Sequence, residues 1–234
     1  MPNASLTVDI DGALKKLTRV QKKQVPFATA HALTKTAQYA QRELHREIKR
    51  VFENPTRMTQ NAVRVEPAKK TKLVARVHLK DAFGKGTPPS EYLLHHIEGG
   101  SREHKRFEKW LIARGIMSRG EFAVQGTGMP TNRFGNITPG WYAKILADIG
   151  QVKPGGHQKT KKRGRKRFYY SPNKRPRGIW VREGKRTYPA LLFVQKTPQY
   201  RKRFKFYEII QRSVDRRLQR QFLVSLAKAI RSAK

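Results

Sequence analysis

The chain has 234 residues, and its 52 Lys and Arg against 16 Asp and Glu give a formal net charge of +36. A small domain usually carries a net charge of about 2–8 in magnitude, so solubility does not explain this excess, and a polyanion or an acidic protein surface is the expected partner. Cysteine is absent, which excludes disulfides, thiolate metal sites and cysteine nucleophiles.

The N-terminal third of the sequence predicts two helices separated by a proline. Residues 12–23 carry an apolar stripe, and Pro26 suits the first turn of a second helix, where its missing N–H costs nothing. From Phe27 to Val51 apolar residues, many of them Ala, recur at steps of three and four, which is typical of one face of a long amphipathic helix. The helix should end at Asn54-Pro55.

Strands and short helices are predicted in the middle of the chain. Val63–Glu66 and Leu73–Leu79 are rich in β-branched residues and are expected to pair as antiparallel neighbours. Helices are expected at Ser90–Ile97, Phe107–Ala113 and Pro139–Ile149, separated by loops rich in Gly.

Half of the net charge lies between residues 153 and 205, where 19 Lys and Arg stand against one acid, Glu183. A block of like charges repels itself and seldom folds alone. Residues of about 151–167 are therefore predicted to form an extended basic arm that orders when it meets its partner; a solvated loop without a partner is the alternative. The residues expected to contact phosphate or an acidic surface are Lys159, Lys161, Lys162, Arg163, Arg165, Lys166, Arg167, Lys174, Arg175 and Arg177.

Three further strands and a second long helix complete the predicted fold. The strands are Phe168–Tyr170, Ile179–Val181 and Pro189–Val194, the last expected to be central because it is the most apolar run. An amphipathic helix follows over about 202–232. The predicted class is α+β: a single domain over 1–234 in which a mixed, mainly antiparallel sheet is covered by long N- and C-terminal helices, with the basic extended loop.

The sequence offers two candidate metal or catalytic sites, and each has a simpler interpretation. A group of His and acidic residues matches no standard metal motif, and a polar helix end explains it better: His95, His96, Glu98, Glu103 and His104. Glu183-Gly184-Lys185 is similar to the acid–x–Lys element of metal-dependent nucleases, which needs further carboxylates to hold a cation. Asp148 is the nearest upstream candidate. No catalytic residue, metal or cofactor is therefore expected.

Aromatic and membrane signals are weaker. Phe168, Tyr169 and Tyr170 stand beside cations, as in single-strand binders, but at least one of them is expected in the core. No segment approaches the roughly 18 consecutive apolar residues of a membrane span, so no membrane partner is expected.

The segment Tyr92–Lys109, YLLHHIEGGSREHKRFEK, followed later by Pro139-Gly140, resembles the minor tail protein Z family of tailed bacteriophages and prophages, the tail-completion proteins of lambda-like phages. The order of parts is similar too: a long Ala-rich helix beginning near Val25-Pro26, a basic middle, a strand at Tyr188-Pro189 and a basic C-terminal helix. The most family-like residues are Glu98, Gly99, Gly100, Arg102 and Lys105.

The resemblance implies a structural, non-enzymatic virion protein, assembled in the host cytoplasm, that completes the tail and joins it to the head at the neck. It implies a homo-oligomeric ring, commonly sixfold, around a channel that carries DNA, next to tail-terminator or tail-tube proteins and head-completion or connector proteins. The composition supports this independently, because Lys and Arg lining a channel bind phosphate without reading bases. The same basic loops would equally dock on acidic rims of neighbouring neck proteins.

Two other classes of protein remain as alternatives from the sequence. The first is a sequence-independent nucleic-acid-binding protein outside a virion, associated with RNA or the ribosome. The second is a nuclease, which would depend on a divalent cation and on Glu183.

Overall fold

The computed structural model describes residues 2–7, 19–81, 87–150, 166–173 and 175–232, with the backbone alone at 19–23. The helices are α1 (Arg19–Val51), α2 (Arg57–Gln60), α3 (Pro89–Glu98), α4 (Arg106–Ala113), α5 (Pro139–Gly150) and α6 (Phe206–Arg231). The strands are β1 (Asn3–Thr7), β2 (Val63–Glu66), β3 (Val74–Leu79), β4 (Gly100–Ser101), β5 (Phe122–Gln125), β6 (Arg167–Tyr170), β7 (Gly178–Glu183), β8 (Arg186–Val194) and β9 (Gln199–Tyr200).

The predicted fold class is confirmed. Helices and antiparallel sheets share the chain, with long helices towards its N- and C-terminal ends.

The chain divides into two compact units: unit 1 comprises residues 1–100 and 201–234, and unit 2 comprises 101–200. The expectation of one domain over the whole chain stays a prediction.

Unit 1 is a three-stranded sheet covered by α1. The sheet has the order β1-β3-β2, with both pairings antiparallel, and α1 packs against β2 and β3. The apolar stripe of α1 is fully buried: Leu33, Ala37, Ala40, Leu44 and Ile48. The alanines end at Cβ, so they permit close approach, while each buried Leu or Ile stabilises the unit by about 1.5–3 kcal/mol.

Helix α6 packs along α1 in the antiparallel sense. The hydroxyl of Ser213 donates to Oε2 of Glu43 at 2.8 Å, and Ser225 Oγ lies 2.8 Å from His31 Nδ1 near the other end of the pair. Both serines are buried, so these hydrogen bonds satisfy polar groups inside the helix–helix contact. No described helix combines the length and apolar character that a membrane span requires.

The two long helices begin at different residues from those predicted. Helix α1 starts at Arg19 and continues through Pro26, although a proline inside a helix removes one hydrogen bond. Val25 and Ala28 are completely buried there, and their packing offsets that loss. Helix α6 starts only at Phe206, and contacts with His96 hold the segment just before it, as described below.

Unit 2 is built on a four-stranded antiparallel sheet with the order β5-β8-β7-β6. The prediction that the Pro189–Val194 run is a central strand is confirmed, because β8 lies between β5 and β7. Phe168 of β6, Ile179 of β7 and Leu191 of β8 form its core with residues of α4 and α5. A separate two-stranded sheet pairs β4 with β9.

His96, near the end of α3, holds the segment that leads into α6. Its carbonyl oxygen accepts the N–H groups of Arg203 at 3.0 Å and Phe204 at 2.9 Å. Its ring Nδ1 accepts from Nε of Arg203 at 3.2 Å and the ring lies edge-on to Phe52. Burial, together with the positive charges of Arg203 and His95, lowers the pKa of His96 to about 4.

Acidification should therefore destabilise unit 1 through His96. The folded-state pKa of about 4 lies below the ordinary value of 6.5, so the unfolded chain binds the proton more readily. The contribution is complete above the ordinary value and is lost as the pH falls towards 4. We expect His96→Gln, whose amide oxygen still accepts a hydrogen bond, to flatten the fall in unfolding free energy measured by urea titration between those pH values.

The difference between wild type and variant isolates the contribution of His96 to the pH dependence of the unfolding free energy. Burial also lowers the pKa values of His31 and His45, but both residues titrate in the two proteins alike. A variant whose stability falls with pH as steeply as that of the wild type would contradict the assignment.

Candidate functional site: cationic surfaces and a buried ion pair

Most of the predicted basic arm falls outside the described residues. This applies to Lys159, Lys161, Lys162, Arg163, Arg165 and Lys174. Their contact with phosphate or an acidic surface stays a prediction. The structure places the remaining four candidates: Lys166, Arg167, Arg175 and Arg177.

Lys166 and Arg167 lie at one end of the β6–β7 ladder. Lys166 Nζ is 3.2 Å from Glu183 Oε2, and Arg167 stands directly opposite Arg182 in the register. Like charges on directly opposite residues of a ladder repel each other. An anion bound across this end of the sheet would relieve that repulsion, so the geometry is compatible with the predicted role.

Arg177 has a structural role in unit 2. Its Nη1 lies 3.0 Å from Oε1 of the buried Glu121, and its Nη2 donates to the Tyr170 hydroxyl at 3.4 Å. The hydrogen bond to Tyr170 and the charge of Glu121 raise the pKa of the guanidinium. Arg175 is exposed, and its Nη1 donates to the carbonyl of Pro172 at 3.2 Å. Of these two arginines, Arg175 has the side chain that presents its charge to solvent.

The first three family-like residues form the end of α3. Glu98 is exposed, and the N–H of Gly99 donates to the His95 carbonyl at 3.0 Å, closing the last turn. Gly99 has φ 77° and Gly100 has φ 93°, a region that favours glycine because side chains with a Cβ are strained there. The Gly-Gly pair therefore stops the helix and turns the chain.

Arg102 forms a buried two-pronged ion pair with Glu108. Its Nη1 and Nη2 donate to the two carboxylate oxygens at 2.6 and 2.7 Å. The side chains are 9% and 1% exposed, respectively. Planar guanidinium and carboxylate groups match each other in this geometry, which makes such a pair stronger and more directional than a single contact. Arg102 is thus an internal anchor of unit 2.

Backbone groups complete the partners of Glu108. The carboxylate also accepts the N–H of Lys105 at 2.7 Å, at the start of α4, and that of Ala123 in β5 at 2.9 Å. Burial alone would raise the pKa of Glu108, but the hydrogen bonds from Arg102 and from these N–H groups outweigh it, so the pKa lies below its ordinary value. One carboxylate therefore ties the Arg102 segment, α4 and β5 together.

The same segment packs on the ring of Phe122. The guanidinium carbon of Arg102 lies 5.1 Å from the ring centroid, and the His104 ring stacks on it at 4.5 Å. Burial of the ammonium and the charge of Arg102 lower the pKa of Lys105, although part of the lysine side chain reaches the surface. Arg102, with these neighbours, supports the architecture of unit 2.

Sequence reasoning missed Glu108 as the partner of Arg102 and missed exposed arginines on α6. The signal for Glu108 was its position three residues after Lys105, where an acid at the third helical position reaches back to the N–H that precedes the helix. The signal on α6 was a run of arginines at steps of four.

The acids considered for a metal site or a nuclease have other contacts in the structure. Within the described ranges, no group of three or more His, Asp or Glu residues is placed to hold a metal ion. Glu183 pairs with Lys166, and Asp148 Oδ2 accepts the N–H of Phe168 at 3.1 Å. The two acids named for a nuclease thus have structural partners.

Residues 9–86 match the family model of prophage minor tail protein Z. The match covers about a third of the chain; it confirms the resemblance predicted from the sequence and supports a structural component of a phage tail, hence of a virion. It includes α1, α2, β2 and β3 and ends before Tyr92, so the Tyr92–Lys109 resemblance stays a prediction of its own. No curated protein and no solved structure matches the chain.

Removing the carboxylate of Glu108 should destabilise unit 2. Glu108→Gln leaves Arg102 buried without its counter-charge, which should cost about 3 kcal/mol of unfolding free energy. Because the folded-state pKa of Glu108 is lowered, the wild-type contribution is present at neutral pH and is lost as the pH falls through that pKa. Urea denaturation at pH 7 measures the difference.

A matched control is the neighbouring Glu103→Gln. Glu103 is 90% exposed and lies 3.4 Å from Lys109, so its loss should change stability by no more than about 0.5 kcal/mol. Equal effects of the two substitutions would show that the buried pair contributes no more than an exposed one.

Proposed function

We propose that this chain completes the phage tail and joins it to the head at the neck. In this proposal, identical subunits form a ring, commonly sixfold, around a channel that carries DNA. The ring lies between tail-terminator or tail-tube proteins on one side and head-completion or connector proteins on the other.

The observation that supports this most is the tail-family match of residues 9–86 in a chain of net charge +36. The family accounts for a place in the tail. The charge accounts for a place beside an anion, because a structural protein needs no such excess for solubility. The neck is where a tail component meets both DNA and the rims of other proteins.

The chemistry of such a site is electrostatic and independent of sequence. Lys and Arg that neutralise phosphates release condensed counterions, which favours binding at low salt. Contacts to phosphates position a protein without reading bases, and a conduit for DNA requires that property. The arm residues Lys159 to Arg167 and the cations at the end of β6 are proposed to contact either phosphates or acidic neighbouring subunits.

Charge also limits how the ring forms. Copies with a net charge of +36 repel one another in free solution. We therefore propose that the purified chain is monomeric at low salt and becomes a ring at a tail end, where acidic neighbours or DNA offset the repulsion.

Electron microscopy of tails made with and without this protein tests the proposal. Tails from a phage or induced prophage lacking the gene should have normal length but should not join DNA-filled heads, because the ring that completes them is absent. Adding purified full-length protein to a mixture of such tails and heads should restore joined particles, with a ring of density at the tail end.

The control for this experiment is addition of the same protein after heat denaturation. Joined, infectious particles in the absence of the gene product would overturn the neck assignment. If the protein is also missing from purified virions by mass spectrometry, the alternative of a nucleic-acid-binding protein outside the virion would replace it.

A further inference from the structure

The α1–α6 pair carries a band of positive charge outside the predicted arm. We call this band the cationic helix face; it consists of Lys35, Arg42 and Arg46 on α1, and Arg212, Arg216, Arg217 and Arg220 on α6. Arg42 and Arg46 are exposed on α1, and Arg212, Arg216 and Arg220 are exposed on α6.

Tyr39 joins the two halves of the face. The guanidinium carbon of Arg42, on α1, and that of Arg217, on α6, each lie 4.3 Å from the centroid of the Tyr39 ring. Two like charges are thus held against one aromatic ring. Each is attracted by the ring, but the pair repels itself, so the site favours a neighbouring negative charge.

Only part of this charge is offset within the protein. Glu43 Oε1 lies 3.4 Å from Arg217 Nη2, while the buried Nε of Arg217 has no hydrogen-bond partner among the described residues. Arg212, Arg216 and Arg220 form no ion pair with a carboxylate in the parts of the chain that the structure describes. These arginines therefore present their charge outward.

The exposed arginines of α6 form a row that is slightly inclined to the helix axis. Arg212, Arg216 and Arg220 recur every four residues, so successive side chains are about 6 Å apart along the helix axis. Residues at this spacing share one face of a helix. A row of this kind presents evenly spaced positive charges to a linear polyanion.

The opposite side of α6 is apolar. Val214, Leu218 and Phe222 are offset by two positions from the arginines, which places them roughly 200° away around the helix. They line a groove of about 310 Å³ together with Thr29 and Ala32 of α1. Arginine is common at protein–protein interfaces as well, so the regular spacing of the row, and not its charge alone, is what suits a linear polyanion.

We propose that the cationic helix face binds the phosphates of double-stranded DNA without regard to sequence. The inference rests on the proposed function, which places DNA beside the protein, and it assigns that contact to the folded helix pair in addition to the arm. DNA is favoured over an acidic protein because the exposed charges recur at a regular spacing and because the apolar groove lies on the opposite side of α6. Arginine forks also match phosphate oxygens in pairs.

The test is DNA binding by the full-length chain carrying Arg212→Gln, Arg216→Gln and Arg220→Gln. Fluorescence anisotropy with a random-sequence 30-bp duplex, over a series of salt concentrations, measures the binding constant. Loss of three phosphate contacts should reduce the slope of log K against log salt by about 2–3. Binding should weaken most at low salt, by about 100-fold or more at 0.1 M if the two proteins bind equally at 1 M.

Two further variants distinguish the loss of the cationic helix face from a loss of net charge alone. Arg57→Gln, Arg64→Gln and Lys72→Gln remove the same charge from exposed positions elsewhere in unit 1, and this triple variant should change the slope by less than about 1. Replacing the three α6 arginines by lysine should preserve most of the slope, because each lysine still neutralises a phosphate as a point charge. Circular dichroism checks that each variant keeps its helix content.

The binding measurements test DNA contact by the cationic helix face independently of the proposed role in head–tail joining. Two results would overturn DNA binding by the cationic helix face. One is an equal reduction of the salt slope in the two triple Gln variants, and the other is an unchanged slope in the triple Gln variant of α6. If polyglutamate competes for binding as strongly as duplex DNA of equal charge, the result would overturn the DNA proposal and favour an acidic protein as the partner of this face. If the α6 triple does not fold, the single variant Arg216→Gln should still lower the slope by about 0.9. Head–tail joining is scored separately, so either proposal fails without the other.

Discussion

Repulsion among 52 cationic side chains opposes folding of this chain, and glutamates placed beside arginines and lysines offset part of that repulsion within the described residues. The eight ion pairs of the described residues use eight different glutamates, half of all the acids. Glu108 and Glu121 are buried beside arginines, and Glu43 lies where α1 meets α6. Acids placed inside hold segments together, so the uncompensated charge lies outside, where a partner can reach it.

The elements that depend on one strong local pattern could be predicted from the sequence. The stripe of Ala and Leu in α1, the β-branched strands β2 and β3, and the apolar run of β8 each bury a continuous set of side chains, and periodicity reports burial directly. Strands β1 and β5 were not predicted. Asn3–Thr7 is a short segment with one buried residue, Leu6, and its pairing with β3 is a contact distant in sequence that local patterning does not encode.

The boundaries of the long helices show a second limit. Pro26 is a valid start signal, yet tertiary packing of its neighbours extends α1 beyond it. The segment that leads into α6 is held by the carbonyl of His96, more than a hundred residues away. Such contacts override local propensity because burial and hydrogen bonding outweigh the preference of one residue.

The candidate site likewise contains residues that the sequence reveals and residues that only the structure reveals. A count of charges along the chain directs attention to the arm, where cations are densest, whereas the row on α6 becomes visible only when its spacing is combined with exposure. Arg102 was selected for its resemblance to a family, and the structure gives it a buried partner, Glu108. Charge alone thus does not distinguish an arginine that binds a partner from one that supports the fold.

The division of the chain into two units has a consequence for its synthesis. Unit 2 is one continuous stretch, whereas unit 1 combines residues 1–100 with 201–234. Domains generally fold as units, N-terminal parts first during synthesis, so all of unit 2 is synthesised before α6, and α1 must wait for its helical partner. A compact insert shortens the loop that unit 1 has to close and reduces the entropy lost in closing it.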